Sequence, residues 1–384
     1  DRAGDEPPRY DSSAKSRGYH VPMSRFVVET TRREGEELVV LRDTASGAEA
    51  RVWPGCGDNC LSLTLPSPTG AGQLVTVIQA PPALDEIRRR PSWWGIPLLF
   101  PFPGVIPQGE YEFEGRKLRL GRPDQEIVSE GKEYPGARRD YHGFVMDLPW
   151  EVGAVTADDG GATVQASVDA TAHPHVLEGF PFPFRVGATY RLDGRGLHLT
   201  FSAENTGTGR LPFGFGAHPF FRVPLGDAGT AGECLICIPA ARRWDGRRVR
   251  GLLRGETTAT VTEDEIRPPV TPDLDLRTPR PFVERVYNGM YCDLTLVDGG
   301  VEAFVRDPAS GLEAVMRAAP ELPNVVFWSP PGRSELCFEP WSCPSNVFNL
   351  AAHGVPHHGL LVLEPGETWQ TTMSISLRAA PTGS

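Results

Sequence analysis

Three short motifs that lie far apart in the chain carry residues able to transfer protons or to bind polar ligands. His142 lies within Tyr-His-Gly-Phe, His218 within Ala-His-Pro-Phe-Phe, and Glu339 within Cys-Phe-Glu-Pro-Trp. No helix or turn can unite positions this distant, so only the tertiary fold can bring them together. A carboxylate and two imidazoles in one apolar site can exchange protons at neutral pH.

Each of these residues also has a plain structural interpretation. Glu339 follows an apolar strand, where burial would raise its pKa and make it a base, but many carboxylates at strand ends are simply exposed. His218 lies among glycines and aromatic residues, where it either donates to a ligand oxygen or bonds a backbone carbonyl in the core. His142 either binds a polyol or caps a turn.

Aromatic residues accompany the motifs. Phe220 follows His218 closely, and Trp328 ends the strand that precedes the Glu339 segment. Most such side chains pack in a core, but one or two can form the apolar platform on which a sugar ring stacks.

Strand and turn signals dominate the rest of the chain. Alternating apolar residues around Gly-, Pro- or Asp-containing turns predict five hairpins, over residues 37–53, 111–118, 185–203, 303–316 and 359–377. Only Pro82 to Arg90 suggests a helix, a short one. Many hairpins with few helices predict an all-β fold, a large antiparallel β-sandwich. We expect a polar N-terminal tail at residues 1–22 and one β-sandwich domain at residues 23–384.

Composition excludes several classes of partner. A formal net charge of −11 gives no basic excess to offset phosphates, so we expect no nucleic-acid and no membrane partner. There is no apolar run of about 18 residues, and the start lacks the apolar stretch of a secretory signal. Seven cysteines, an odd number, favour a reduced, cytoplasmic protein with buried free thiols over a zinc site. The oligomeric state stays open.

Several segments together resemble the aldose 1-epimerase, or galactose mutarotase-like, family. They carry the sequences GIPLLFPFP, HGFVMDLPWEV, FPFPFR, FGFGAHPFF, CFEPW and LEPGE, at residues 95–103, 142–152, 180–185, 213–221, 337–341 and 363–367. These segments occur in the same order as in the family, and the resemblance covers roughly residues 25 to 380.

The resemblance implies a β-supersandwich that interconverts the α and β anomers of a free aldose without a cofactor or metal. It implies that Glu339 is the base, that His218 is the acid, and that His142 binds the sugar. Two positions depart from the family: Val105 stands where a sugar-binding arginine is often found, and Glu284 stands where an aspartate contacts sugar hydroxyls. We expect Glu284, Phe220 and Trp328 to bind substrate alongside His142.

Two alternatives follow from these departures. The first is a carbohydrate-binding or sensing protein that keeps the fold without turnover. The second is an enzyme for a hexose 6-phosphate, whose phosphate would be held by arginines at positions 88–90 or 138–139.

Overall fold

The computed structural model describes residues 24–70, 72–120, 127–129, 132–134, 141–253, 262–282, 288–330 and 332–381. The predicted tail at residues 1–22 lies outside these ranges, as do Glu284 and the arginines at positions 138 and 139.

The described strands of the first half of the chain are β1 Phe26–Arg33, β2 Glu36–Asp43, β3 Glu49–Trp53, β4 Asn59–Pro66, β5 Leu74–Ile78, β6 Leu98–Leu99, β7 Glu110–Phe113, β8 Arg116–Arg119, β9 Ile127–Ser129, β10 Lys132–Tyr134, β11 Glu151–Asp158, β12 Gly161–Asp169, β13 Phe184–Asp193 and β14 Gly196–Asn205. Those of the second half are β15 Leu211–Phe213, β16 Gly216–Ala217, β17 Phe220–Arg222, β18 Leu235–Cys237, β19 Ala240–Arg243, β20 Arg280–Pro281, β21 Asn288–Leu294, β22 Val301–Asp307, β23 Leu312–Ala318, β24 Asn324–Trp328, β25 Glu335–Trp341, β26 Leu361–Leu363 and β27 Thr368–Ala379.

The described helices are short: α1 Leu84–Arg89, α2 Pro174–Gly179, α3 Gly246–Leu253, α4 Glu263–Ile266 and α5 Val347–Ala352. The first of them confirms the single helix that the sequence predicts. None of the described helices has the length and apolar character needed to cross a lipid bilayer.

Two large antiparallel sheets contain most of the described strands. The first has the order β1-β2-β3-β4-β5-β17-β25-β24-β21-β19, with β16 and β6 attached beside β25. The second has the order β11-β12-β13-β14-β27-β23-β22-β18-β20. This architecture confirms the predicted all-β, antiparallel sandwich, and it places β25 in the middle of the first sheet.

Four of the five predicted hairpins are confirmed. They are β2–β3, β7–β8, β13–β14 and β22–β23, each with its two strands paired antiparallel. The fifth hairpin, over residues 359–377, is wrong. β26 pairs with β15 in a small separate sheet, whereas β27 lies between β14 and β23. β14 and β23 are hydrogen-bonded to the two edges of β27, so β27 has no free edge with which β26 could pair.

An apolar core fills the space between the two large sheets. It includes buried side chains of the first sheet, such as Leu41 and Phe338, and of the second, such as Val186 and Phe201. Phe201 stacks on Phe215, whose ring lies 3.9 Å away at 16°. Because alternate residues of β25 point to opposite faces, Leu336 and Phe338 enter this core while Cys337, Glu339 and Trp341 face away from it. The outer face of β25 is therefore where the predicted site lies.

Candidate active site

Strand register brings His218 and Glu339 together. β16 pairs with β25 through Gly216 and Trp341, and β17 pairs with it through Phe220 and Cys337. His218 lies midway between β16 and β17, so the same register sets it opposite Glu339. The imidazole Nε2 is 3.3 Å from the Glu339 Oε1 atom, and both side chains are 2% exposed.

Glycine at position 216 allows the neighbouring aromatic wall. A side chain on Gly216 would place its Cβ 2.5 Å from the indole of Trp341. Without that side chain, Trp341 packs closely across the β16 backbone beside Glu339. The sequence Gly-Ala-His-Pro therefore serves to bring an indole and an imidazole to the same carboxylate.

His142 is held by the loop that contains Gly104. The Gly104 N–H donates to His142 Nδ1 at 3.0 Å, and the His142 N–H donates to the Gly104 carbonyl at 2.7 Å. Since Nδ1 accepts this hydrogen bond, the neutral ring carries its own proton on Nε2. That Nε2 is buried and has no hydrogen-bond partner. Burial, with a smaller contribution from His218, lowers the pKa of His142 well below 6.5, so the ring is a neutral donor.

The three predicted residues line one cavity of about 130 Å³. Four buried polar atoms of its lining residues lack a hydrogen bond of regular geometry: His142 Nε2, His218 Nδ1, Glu339 Oε2 and Trp341 Nε1. The Trp341 indole is nevertheless near enough to Glu339 to act on the pKa of its carboxyl. Buried polar atoms in native proteins are nearly always paired, so such a group indicates a place for a polar ligand. A polyol, with hydroxyls that both donate and accept, suits this mixture of donors and acceptors.

Burial controls the protonation of the pair. It raises the pKa of Glu339 well above 4.5, opposed in part by the indole N–H of Trp341. It also lowers the pKa of His218 to about 3, with a smaller effect from Arg333. Burial thus favours the form of the pair in which its one shared proton lies on the carboxyl and the imidazole is neutral. Transfer of that proton across 3.3 Å produces a carboxylate and an imidazolium without exchange with solvent.

The two predicted aromatic contacts occupy different places. Trp328 lines the cavity and meets His218 edge-on, with ring centroids 5.5 Å apart. Phe220 stacks on His218 at 4.8 Å and 11° and is buried behind it, outside the lining of the cavity. Phe220 thus contacts the imidazole directly, and its predicted contact with substrate stays a prediction.

The other groups predicted to bind substrate are Glu284 and several arginines. Within the described part of the chain, none of them contacts His218 or Glu339. Glu284 lies outside the described residues, so its role stays a prediction. Val105 does line the cavity, and an aliphatic side chain offers no hydrogen bond there. Of the arginines suggested for a phosphate, Arg88 pairs with Glu36 and Arg89 with Asp85, on the outside of α1. Arg90 lies over the ring of Trp93, which lines the cavity.

Four lining residues were missed by sequence reasoning as binding groups. Trp93, Tyr141, Asn288 and Ser345 all reach the cavity. Tyr141 and Trp93 adjoin motifs noted above, but nothing in the sequence around Asn288 or Ser345 distinguishes them from loop residues. Trp93 meets Trp328 edge-on at 5.5 Å and extends the aromatic wall.

One set of donor atoms in the site has metal-binding character. Nitrogen, sulfur and oxygen atoms of His218, Cys337 and Glu339 lie within 4.8 Å of one another. A metal would need the thiolate, and burial raises the pKa of Cys337 well above 9. All seven cysteines are free and buried, as the sequence predicts.

Comparison with known proteins gives the family. The sequence pattern of the aldose 1-epimerase family matches residues 61–376. YihR of Escherichia coli K12, an uncharacterised protein, is 25% identical over 272 residues, which are 70% of this chain and 75% of YihR. YphB, another uncharacterised protein of that organism, is 28% identical over 206 residues, covering 51% of this chain and 60% of its own.

Solved structures agree on the fold. A galactose mutarotase-like protein from Clostridium acetobutylicum superposes with a TM-score of 0.71 at 21% identity, covering 92% of this chain and 99% of its own. Slr1438 from Synechocystis sp. PCC 6803 gives 0.65 at 23% identity over 92% and 99% of the two chains. With the family pattern spanning most of its length, this chain belongs to the aldose 1-epimerase family.

Proposed function

We propose that the protein interconverts the α and β anomers of a free aldose by acid–base ring opening and closure. The observation that carries the proposal is the buried His218–Glu339 pair, 3.3 Å apart, in a cavity lined by unpartnered polar atoms. Membership of the family supports the same chemistry.

The reaction needs two proton transfers at adjacent oxygens of the sugar. Glu339, as the carboxylate, takes the proton from the C1 hydroxyl while His218, as the imidazolium, protonates the ring oxygen. The C1–O5 bond breaks and the C1 carbonyl forms. After rotation about the C1–C2 bond, the two transfers run in reverse and close the other anomer. The pair ends with the single proton with which it began.

His142 orients the sugar in this proposal. Its Nε2–H donor is aimed by the Gly104 hydrogen bond and cannot become charged at neutral pH. A neutral donor binds a hydroxyl without competing for the transferred proton. Trp328 and Trp93 provide an apolar wall against which the ring carbons can pack.

Anomer exchange by NMR over a panel of aldoses tests the proposal directly. Magnetisation transfer between the α and β H1 signals, corrected for the uncatalysed rate, gives the enzymatic rate for each sugar. The proposal expects exchange for at least one sugar and a loss in Glu339→Gln. Thermal unfolding of both proteins serves as the control that the fold is intact.

The second candidate is a sugar-binding protein without turnover. Val105, in a position where the family often has an arginine, is the observation that favours it. Calorimetric binding of a sugar that shows no enzymatic exchange would support this candidate. Measurable exchange of any sugar that binds would reject it.

A further inference from the structure

The catalytic cavity opens beside a much larger one. The second cavity has a volume of about 1000 Å³ and shares four lining residues with the first: Asn288, Val326, Trp341 and Ser345. Ligand pockets usually measure about 300–1,000 Å³. The catalytic cavity of about 130 Å³ is below that range. A sugar with C1 at the His218–Glu339 pair would reach beyond the smaller cavity, and Trp341 stands between that cavity and the larger one.

Arg243 lines that larger cavity and has no counter-charge among the described residues. Its Nε is buried and lacks a hydrogen-bond partner, while its guanidinium lies over the ring of Tyr291 at 4.9 Å. A guanidinium is always charged and has five donors, so leaving it unpaired is costly. Among the nearby cations, Arg242 pairs with Asp264 and Asp293 and Arg248 pairs with Glu265, whereas Arg247 is exposed.

Gly289 of the neighbouring strand β21 leaves space for the Arg243 side chain. A side chain on Gly289 would collide with the Nη2 atom of Arg243. Glycine here thus allows the guanidinium to lie against the backbone of β21, one residue from Asn288, which lines both cavities. This contact places the cation next to the passage between the two cavities.

The charge of the larger cavity is positive although the protein is strongly acidic. Its described lining has two cations, Arg243 and Arg247, and one carboxylate, Asp245, against −11 for the whole chain. The Asp245 carboxylate accepts hydrogen bonds from the backbone N–H groups of Arg247 and Arg248 at the start of α3. Both bonds end on Oδ1 of Asp245, and Asp245 forms no ion pair with Arg243 among the described residues. Its described lining thus carries one net positive charge, which favours anionic ligands over neutral ones.

We infer that the substrate is an aldose with an anionic substituent, a carboxylate or a phosphate, on the side of the ring away from C1, and that Arg243 binds this group. The inference rests on the proposed function, since it takes C1 to lie at Glu339. A guanidinium binds such anions through two parallel charge-assisted hydrogen bonds. This anion site differs from the arginines of α1, which have acidic partners.

The test compares glucose, glucuronate and glucose 6-phosphate by anomer exchange, each corrected for its own uncatalysed rate. We expect kcat/KM for one of the two anions to exceed that for glucose by about tenfold or more, the usual worth of a charge-assisted bond. Which anion is preferred distinguishes a carboxylate from a phosphate site. Equal values for all three sugars would overturn the inference and leave the proposed function standing.

Variants locate the anion site. Arg243→Gln should lower the ratio of anionic to neutral kcat/KM about tenfold, with partial recovery in Arg243→Lys. Gly289→Ala should lower it too, because the added Cβ displaces the guanidinium without removing its charge. Arg116→Gln, an exposed cation on β8, is the matched control and should keep the wild-type ratio. An unchanged ratio in Arg243→Gln would overturn the assignment.

Failure of the proposed function is separable from failure of this inference. If the wild type exchanges no sugar, calorimetry with the same three sugars still measures binding. Tighter binding of an anionic sugar that weakens in Arg243→Gln would support the anion site without catalysis. Equal binding of all three sugars, or no effect of the variant, would overturn it.

Discussion

His218 lies opposite Glu339 because β16 and β17 keep a single register along β25 on either side of it. The backbone therefore fixes the 3.3 Å separation of Nε2 and Oε1, with no dependence on a flexible loop. Phe220 stacks on one face of the imidazole and Trp328 meets it edge-on, so the ring has little freedom to turn. Such a rigid pair suits proton transfers that must occur at two adjacent sugar oxygens.

Replacing Glu339 by Gln should abolish most anomer exchange. The amide keeps the shape of the side chain but cannot accept the C1 hydroxyl proton, and general acid–base catalysis contributes about 10²–10⁴-fold. We expect a decrease of that size in kcat, measured by NMR exchange. Since the carboxyl rests in its neutral form, the variant should unfold at a temperature near that of the wild type. Wild-type rates would remove Glu339 from the mechanism.

The rate should show no inflection near pH 6.5, where a free histidine titrates. An isolated histidine would lose its proton near pH 6.5, but burial lowers the pKa of His218 to about 3 and raises that of Glu339. Titration of His218 therefore does not inactivate the pair at that pH, and burial of Glu339 favours the form that keeps one shared proton. A profile of kcat/KM with an inflection near pH 6.5 would show that His218 titrates independently.

Sequence patterns predict much of this fold because they are local. Alternation around a turn identifies β13–β14 without knowledge of the rest of the chain. The pattern at residues 359–377 looks the same but fails, since only the completed sheet shows that β27 is paired on both edges. The difference between a hairpin and two separate pairings is therefore set by partners distant in sequence, β14 and β23.

Part of the candidate site could likewise be predicted from the sequence, and part could not. Aromatic and glycine-rich motifs point to His218 and Glu339, and the structure brings the two together. Arg243 carries no such signal, because it stands among other arginines in the sequence. What distinguishes it is that Arg242 and Arg248 pair with acids and that Arg247 is exposed, whereas the Nε of Arg243 is buried. The availability of a cation depends on which neighbours neutralise it, and that is a tertiary property.

Substitution of His142 should weaken sugar binding more than it slows the chemistry. His142 has a φ of 61°, a conformation that Asn tolerates better than other residues, so His142→Asn removes the Nε2 donor with little backbone strain. We expect KM to rise about tenfold, the cost of one lost hydrogen bond to a buried donor site, with a smaller change in kcat.

His142→Ala provides the comparison for backbone strain. It lacks the donor and also disfavours the left-handed conformation, so it should show the same rise in KM with a lower unfolding temperature. If His142→Asn lowers kcat strongly and leaves KM unchanged, the residue acts in proton transfer and not in orientation.

Substitution of Asp58 should stabilise the protein, and the gain should grow with pH. This carboxyl is 1% exposed, and neither oxygen has a hydrogen-bond partner. Burial raises its pKa from 3.8 to about 8. Between those values the unfolded chain is ionised while the native protein holds the proton. The free energy of unfolding therefore falls as the pH rises, by about 1.4 kcal/mol per pH unit.

Asp58→Asn removes this dependence and tolerates the φ of 48° at the position. In urea unfolding, the variant should match the wild type near pH 4 and exceed its stability increasingly up to about pH 8. Asp43→Asn is the matched control with the opposite sign. The hydrogen bond from Arg25 lowers the pKa of Asp43 to about 2, so its stabilisation is present above 3.8 and is lost as the pH falls toward 2. Asp43→Asn should therefore destabilise the protein at neutral pH. If both variants lose stability at pH 8, the Asp58 carboxylate has a compensating partner and its burial costs little.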